Sequence, residues 1–434
     1  MKNMNKFRIF SCDGGGFRGY LTSLILERLE DELISLSQNS PSQNAYHLGD
    51  YFDMYAGTST GSLIACGLAA GISARRIREI YEEIGGSVFP EIRWQKELRY
   101  RIAQFLSIFT RKRLQGMTSD HRFLFSSPLF DGKKLKEAVE KIFQDTCLGD
   151  LSANNKRVLV TAYDCWNSLP VVFDSYNELH KSLKVVDILL ASSAYPGGFP
   201  SHVMDSRSIH DQFTEPGYSL PPNDNCLPLV DGGLVANNPA LLTLTKYYEE
   251  RKHNSQPPIP VVMASFGTGK LVLQFKCQQT RDMGQLDWTF PFGGPLLDVV
   301  YGGYSKIIDW LTASLINNLA NETGETGDNY FRFQPHIFSE QGQALNRCPS
   351  PDSVLLNRDQ RKVFEMATFQ YNSKNVLKVI ANQYLQDKDL DGACLGHSNL
   401  ELQVSERVQM LAKSLFMVDA DSPSSSDVNQ VISR

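Results

Sequence analysis

The 434-residue chain has eight cysteines but no Cys-x-x-Cys pair; positions 12, 66, 147, 165, 226, 277, 348 and 394 are scattered, several of them inside apolar runs. Reduced, buried thiols in a cytoplasmic setting are the expectation. Long hydrophobic runs are also lacking. The longest small-apolar stretch, residues 63–72, is about half the ~20 residues of a spanning helix, and Met1-Lys-Asn-Met-Asn-Lys6 leads straight into a short strand pattern, so no cleaved signal is expected. Charge of either sign is in little excess. With 43 Lys and Arg against 48 Asp and Glu, the formal net charge is −5, which gives no global pull toward nucleic acid. No internal repeat is visible, and Lys270 follows Gly267-Thr-Gly269 without the spacing of a P-loop.

What is present is more specific. The apolar run of residues 7–12 enters Asp13-Gly-Gly-Gly-Phe-Arg-Gly19. Gly14, Gly15 and Gly16 permit positive φ and close approach, so several N–H groups can converge on one anion. Leu21, Leu24, Ile25, Leu29, Leu33 and Leu36 then recur at helical spacing, and the N-terminal end of that helix adds to the anion site. The predicted order is strand, glycine nest, helix. Such loops also cradle nucleotides, so this one alone does not define a chemistry.

A second motif narrows it. Residues 51–56 read as a buried strand, Gly57-Thr-Ser-Thr-Gly61 follows, and residues 62–71 form a small-residue helical run. This is a Gly-x-Ser-x-Gly nucleophile elbow in its expected context, with Gly57 and Gly61 permitting the tight turn that exposes Ser59. A serine hydroxyl needs a proton acceptor. His253, His336 and His397 follow the possible acids, yet none sits in a recognisable turn after a strand. Asp231 is the better candidate, because it ends the apolar run 227–230 and enters the Gly232-Gly233 turn. Each residue also has a plainer reading: Ser59 as a small turn residue, Asp231 as a helix cap, the glycines as a tight turn.

Taken together, these motifs resemble the patatin-like phospholipase family, whose pattern is Asp-Gly-Gly-Gly-x-Arg-Gly, then Gly-x-Ser-x-Gly, then Asp-Gly-Gly/Ala. Residues 190–200, 231–239, 265–269 and 330–334 resemble it too, so the likeness spans roughly residues 6–340. The resemblance implies a Ser59–Asp231 dyad that cleaves carboxylic esters of phospholipids or lysophospholipids through an acyl-enzyme. It further implies oxyanion stabilisation by Gly14, Gly15 and Gly16, with Arg18 bracing the loop or neutralising a phosphate and Asp13 and Gly19 shaping it. No cofactor and no metal are expected. Two other readings stay open: a soluble-ester or galactolipid hydrolase, and a latent lipid- or partner-binding effector that waits for a protein or small-molecule activator.

Alternating patterns predict an α/β fold, with a mainly parallel central sheet sandwiched by helices and the catalytic loops at its carboxyl edge. Ser73 caps a helix over 74–84, a helix runs from Asp131 to Phe143, and residues 157–162, 171–174 and 260–266 read as strands. Residues 1–385 form the expected hydrolase domain, with lid or membrane insertions near 93–125 and 283–320. Residues 386–434 hold a short helix over 401–416 and a Ser/Asp-rich tail expected to be disordered. Residues 93–114 carry Trp94, Leu98, Ile102, Phe105 and Phe109 beside Arg99, Arg101, Arg111, Lys112 and Arg113. That pattern suits peripheral contact with anionic lipid, although a core-covering helix with snorkelling arginines is favoured on general grounds. A fluorophosphonate should add once to the active protein and not at all to Ser59→Ala, as read by intact mass; labelling at another serine would overturn the assignment.

Overall fold

A computed structural model describes residues 6–38, 47–90, 128–205, 219, 226–272, 275, 277–289, 294–325, 328–339, 354–365, 367–386 and 403–420. The expected basic-aromatic stretch at 93–114, most of the loop at 201–224, His397 and the tail beyond 420 lie outside these residues.

The central sheet contains β1 (Phe7–Cys12), β2 (Met54–Thr58), β3 (Arg157–Asp164), β4 (Leu169–Asp174), β5 (His202–Asp205), β6 (Cys226–Asp231), β7 (Val261–Phe266) and β9 (Tyr330–Phe333), in the order β5-β6-β3-β2-β1-β7-β9 with β4 also on β3. The strands β3, β2, β1, β7 and β9 pair in parallel. The predicted mainly parallel sheet is therefore present, with antiparallel pairing added at β3–β4, β3–β6 and β5–β6. A second small sheet joins β8 (Lys270–Leu271), β10 (His336–Ser339) and β11 (Val354–Leu356).

Alternation along the strands separates two cores, as the period-2 pleat requires. Phe10, Cys12, Tyr55, Val158, Val160, Val262, Ala264, Phe266, Phe331 and Phe333 face one cluster. That cluster includes residues of α1 (Gly19–Gln38), α2 (Thr60–Ala69), α3 (Ala74–Val88), α4 (Lys133–Phe143) and α5 (Val185–Ser192). Their neighbours Ile9, Met54, Ala56, Leu159, Val261, Met263 and Tyr330 face a second cluster with α6 (Ala240–His253) and α7 (Gly294–Thr323). The sheet thus lies between two helical layers. Ser73 caps α3 as expected, its Oγ accepting the Arg76 N–H at 3.1 Å.

Two expected boundaries move for identifiable reasons. Strand β2 starts at Met54 rather than residue 51, because Asp53 spends its carboxylate on the Arg8 backbone N–H (2.7 Å) and guanidinium. Helix α4 starts at Lys133, since the Asp131 side chain stays outside it and accepts the Lys133 N–H at 3.0 Å.

The register on β3 has a consequence for chemistry. Strand β4 covers residues 159–164 along one edge, while β2 covers 157–161 and β6 covers 162–164. A strand has only two edges, so β2 and β6 share the second and approach each other end to end. Thr58 pairs with Thr161 and Asp231 with Ala162. The residues leaving β2 and β6 are thereby brought together.

Beyond α8 (Lys374–Gln386), α9 (Val404–Ala420) occupies the place of the short helix expected at 401–416. Val404, Val408, Leu411, Ala412 and Leu415 are buried in the main core against α1 and α8. Leu411→Ala should therefore cost about 2–5 kcal/mol of unfolding free energy in a urea titration; a loss below ~0.5 kcal/mol would mean that α9 is not integral to the core.

Candidate active site

The elbow is built from close backbone approach. A Cβ on Gly57 would collide with the Gly61 carbonyl, and one on Gly61 with the Cys12 and Asp13 carbonyls, so both glycines are steric requirements. Between them Ser59 is held at φ 54°, ψ −124°, a strained conformation for a residue with a side chain. The strain is over-determined by its neighbours: the Ser59 N–H donates to Ser192 Oγ at 2.8 Å, and the Ser62 N–H to the Ser59 carbonyl at 2.9 Å.

Across from it, the Asp231 N–H donates to the Ala194 carbonyl (3.1 Å), and Asp231 Oδ1 accepts the Gly233 N–H at 2.7 Å. Ser59 borders the same cavity as Asp231, and its hydroxyl lies near enough to act on this carboxylate. Gly232 packs so closely on Thr161 that a Cβ would collide with its carbonyl. Both side chains are nearly enclosed, Ser59 at 8% and Asp231 at 3% exposure. Burial pushes the Asp231 carboxyl up to about 6, opposed by the hydrogen bonds from Gly233 and Ser59.

The glycine loop lies against this pair. A Cβ at Gly14 would be 3.3 Å from Ser59 Cβ, and Gly15 and Gly16 leave no room for one beside Thr268 and Thr368. The three N–H groups differ. Gly14 already donates to the Asn237 carbonyl at 3.1 Å, which leaves Gly15 and Gly16 as the candidates to face an oxyanion. Arg18 Nη1 donates to the Gly269 carbonyl at 3.1 Å and Nε to the Gly15 carbonyl at 3.4 Å, which ties the loop to the turn after β7.

Asp13 accepts both guanidinium ends of Arg332, at 2.8 and 2.6 Å, and Arg332 Nε also lies 3.2 Å from Asp309. Burial raises the Asp13 carboxyl and the guanidinium opposes it, leaving a value of about 6 and an ionised pair at neutral pH. Asp309 also accepts from Asn238 (2.6 Å) and Tyr330 (2.9 Å).

Ser59, Asp231, Gly14, Gly15, Gly16 and Arg18 all border one cavity of ≈540 Å³. No histidine lines it among the described residues. His253 ends α6 at the surface, and His336, in β10, is driven down to about 3 by burial and by Lys306, Lys270 and Arg332. Among the described residues, no three His, Cys, Asp or Glu side chains converge as a metal would require, and no helix is long and apolar enough to cross a membrane.

Several residues of the site escape a motif reading. Ser192 and Arg332 fall within stretches already singled out, and a lone arginine in an aromatic strand is itself a signal of buried pairing. Asp309, one of three acids in α7, carries a weaker signal. Thr268, whose hydroxyl donates to the Gly14 carbonyl at 2.9 Å, carries none.

With this geometry in view, comparison with known proteins is informative. The family model described as patatin-like phospholipase matches residues 10–244, just over half of the chain. Patatin-like protein 2 of Arabidopsis thaliana is 28% identical over 351 residues, covering 76% of each chain. The cGAMP-activated phospholipase of Vibrio cholerae is 29% identical over 252 residues, covering 57% of this chain and 59% of that one. Solved structures overlap only distantly: VipD from Legionella pneumophila gives a TM-score of 0.32 at 12% identity, covering 98% of this chain and 78% of that one, too low to carry an argument.

Asp231→Asn tests the cost of this site. A carboxyl raised in the folded state makes the fold bind more protons than the unfolded chain, so its contribution to stability is present below about pH 4 and is lost as pH rises toward 6. The variant should therefore be more stable than wild type at pH 7, by roughly 2–3 kcal/mol at most, with the difference vanishing below pH 4. Equal denaturation midpoints at both pH values would show that Asp231 is not held at a raised value.

Proposed function

The chain belongs to the patatin-like phospholipase family, and we propose that it is a serine-dependent acyl hydrolase that cleaves carboxylic esters of membrane phospholipids or lysophospholipids. The observation that carries this reading is the Ser59 hydroxyl beside a buried Asp231 carboxylate in a cavity whose described lining holds no histidine. An aspartate at about 3.9 is a poor base toward a hydroxyl. Raised to about 6, it accepts a proton more readily and is still ionised at neutral pH.

In this mechanism Ser59 Oγ attacks the ester carbonyl as its proton passes to Asp231. The developing oxyanion is met by the Gly15 and Gly16 N–H groups, fixed before reaction by Thr268, Thr368 and Arg18. Asp231 returns the proton to the leaving alcohol, then accepts one from the water that attacks the acyl-enzyme and passes it to Ser59 Oγ as the fatty acid leaves. Leu63, Ile84, Val88, Phe89, Leu135 and Phe199 supply an apolar wall for the acyl chain.

Helix α7 supports peripheral contact with a lipid surface. Its inner side borders the cavity at Asp298, Tyr301, Gly302 and Ser305. Its outer side exposes Leu296, Val300, Tyr304, Ile307 and Trp310, the last at 61%. An uncharged aromatic and aliphatic row directly behind the cavity wall suits the headgroup boundary of a bilayer. The alternative of an activator-dependent enzyme draws support from the cGAMP-activated phospholipase of Vibrio cholerae that the chain resembles.

Purified protein incubated with mixed phospholipid vesicles should release fatty acid, read by mass spectrometry, and Asp231→Asn should lower that release at least ~10²-fold. Release only after addition of cell extract would favour the activator-dependent reading, and a histidine variant as damaging as Ser59→Ala would refute the dyad. Ile307→Ser with Trp310→Ser should weaken vesicle co-sedimentation at least ~10-fold; a change in oligomeric state instead would identify that row as a protein contact.

A further inference from the structure

The cavity is not the same at its two ends, because the sheet edge that holds Ser59 and Asp231 lies between two different helical layers. On the α2–α3 side the lining is hydrocarbon: Leu63, Ile84, Val88, Phe89 and Phe199. The Tyr81 hydroxyl bonds Thr60, beside Ser59, and from there α3 carries its apolar residues away from the serine over ~12 Å between positions 80 and 88. On the α7 side the described lining mixes Leu271, Pro295 and Phe364 with polar groups and includes two cations, Arg18 and Lys270.

These cations are placed differently. Arg18 is committed to two backbone carbonyls, those of Gly15 and Gly269. Lys270 is anchored through its backbone, pairing with His336 as β8 meets β10 and donating its N–H to the Pro335 carbonyl at 2.8 Å. Its side chain reaches along the cavity wall to α7, where Nζ donates to the Gly302 carbonyl at 3.1 Å. Gly302 is the residue that allows this, since a Cβ there would come within 2.8 Å of both Cε and Nζ. An ammonium with three donors can hold a carbonyl and an anion at once. Of the two acids on this rim, Glu365 pairs with Arg361 at 2.9 Å, and Asp298 lies in electrostatic reach of both cations.

We propose that Lys270 reads a substrate phosphate, so that the cavity takes a phosphorylated amphiphile with its acyl chain along α3 and its phosphate at the α7 end. This rests on the hydrolase reading above and deepens it by separating a glycerophospholipid from a neutral or sugar-headed ester. The position fits the connectivity of such a lipid, in which the phosphate is joined to the scissile ester through only the glycerol carbons. Lys270 directly follows Gly269, whose carbonyl Arg18 ties to the Gly15 loop, so its backbone is joined to the loop that would hold the ester oxygen while its ammonium lies at Gly302 on the wall of the same cavity.

The test is equilibrium binding by calorimetry to full-length Ser59→Ala protein, which needs no turnover. Decyl phosphate and decyl glucoside share a chain and differ in headgroup, and both are used below their micelle concentrations. Decyl phosphate should bind ~10-fold or more tightly at low salt, with the preference falling as salt rises. Adding Lys270→Gln should bring the two affinities within about twofold of each other, while Lys270→Arg retains the preference. Gly302→Ala should lower it with the ammonium chemically intact. Inorganic phosphate at millimolar concentration should not displace decyl phosphate; displacement would assign the site to free phosphate and overturn the lipid headgroup. A preference that survives Lys270→Gln, or equal loss of both ligands in that variant, would also overturn the proposal. A Lys270-dependent preference in a protein that hydrolyses no lipid would refute the hydrolase reading and leave the phosphate subsite standing.

Discussion

Arg332, with 1% of its side chain exposed, sits between Asp13 and Asp309 and touches pieces of the chain that have no other reason to meet. Asp13 opens the glycine loop after β1. Asp309 belongs to α7, and through Asn238 and Tyr330 it reaches the segment after Asp231 and the strand β9 itself. A charge so deeply placed must be paired, and removing one partner of such a pair typically costs ~3–5 kcal/mol because the other is left uncompensated. The bidentate geometry at Asp13 also fixes direction as well as distance. The glycine loop is consequently held at its root by a rigid fork, while its tip is free to consist of glycine.

That arrangement lets the proposed nucleophile and base be individually unfavourable. Ser59 adopts a backbone conformation that costs on the order of 1–3 kcal/mol, and Asp231 remains ionised where burial disfavours it. Hydrogen bonds from Gly233 and to Ser192 offset only part of these penalties. The end-to-end approach of β2 and β6 on one edge of β3 resists relaxation, because withdrawing either strand end would break its ladder. Thr58 reinforces the junction, its hydroxyl bonding Thr161 at 2.7 Å and donating to the Ala236 carbonyl at 2.6 Å. In the proposed mechanism the base is then an aspartate made more basic by the fold, and no imidazole is needed among the described groups that border the cavity.

The glycine loop, the elbow and Asp231 are legible in the sequence because each is a contiguous pattern whose chemistry is local. Strand β6 is legible as an element but its direction is not, since a strand buried on both faces reads as the same apolar run whether parallel or antiparallel. The partners are harder still. Arg332 and Asp13 are 319 residues apart, Thr268 and Gly14 254 apart, and Ser59 and Ser192 133 apart. Nothing in the spacing of one member specifies the other; only the completed sheet order brings them together. The same holds within the glycine loop, where three chemically identical N–H groups differ only because Asn237, from a distant turn, accepts from the first.

Sheet order also explains how one site can serve both ends of an amphiphile. Ser59 and Asp231 stand at strand ends, at the boundary between the α2–α3 layer and the α6–α7 layer, and the apolar half of the cavity is furnished by a small cluster of its own, Val88, Phe130, Ala138 and Phe199 with Ile84, Phe89 and Leu135, while Gly302 and Ser305 come from α7. Changing Val88 or Phe199 alters the apolar half through that small cluster. Changing Lys270 or Gly302 alters the polar half without touching α3. Chain length and headgroup are then physically separable properties of a single cavity, coupled only through the strand junction that both halves share. Because that junction is fixed by backbone pairing and by the buried arginine, substitutions at either rim change what reaches the nucleophile more readily than they change the nucleophile itself.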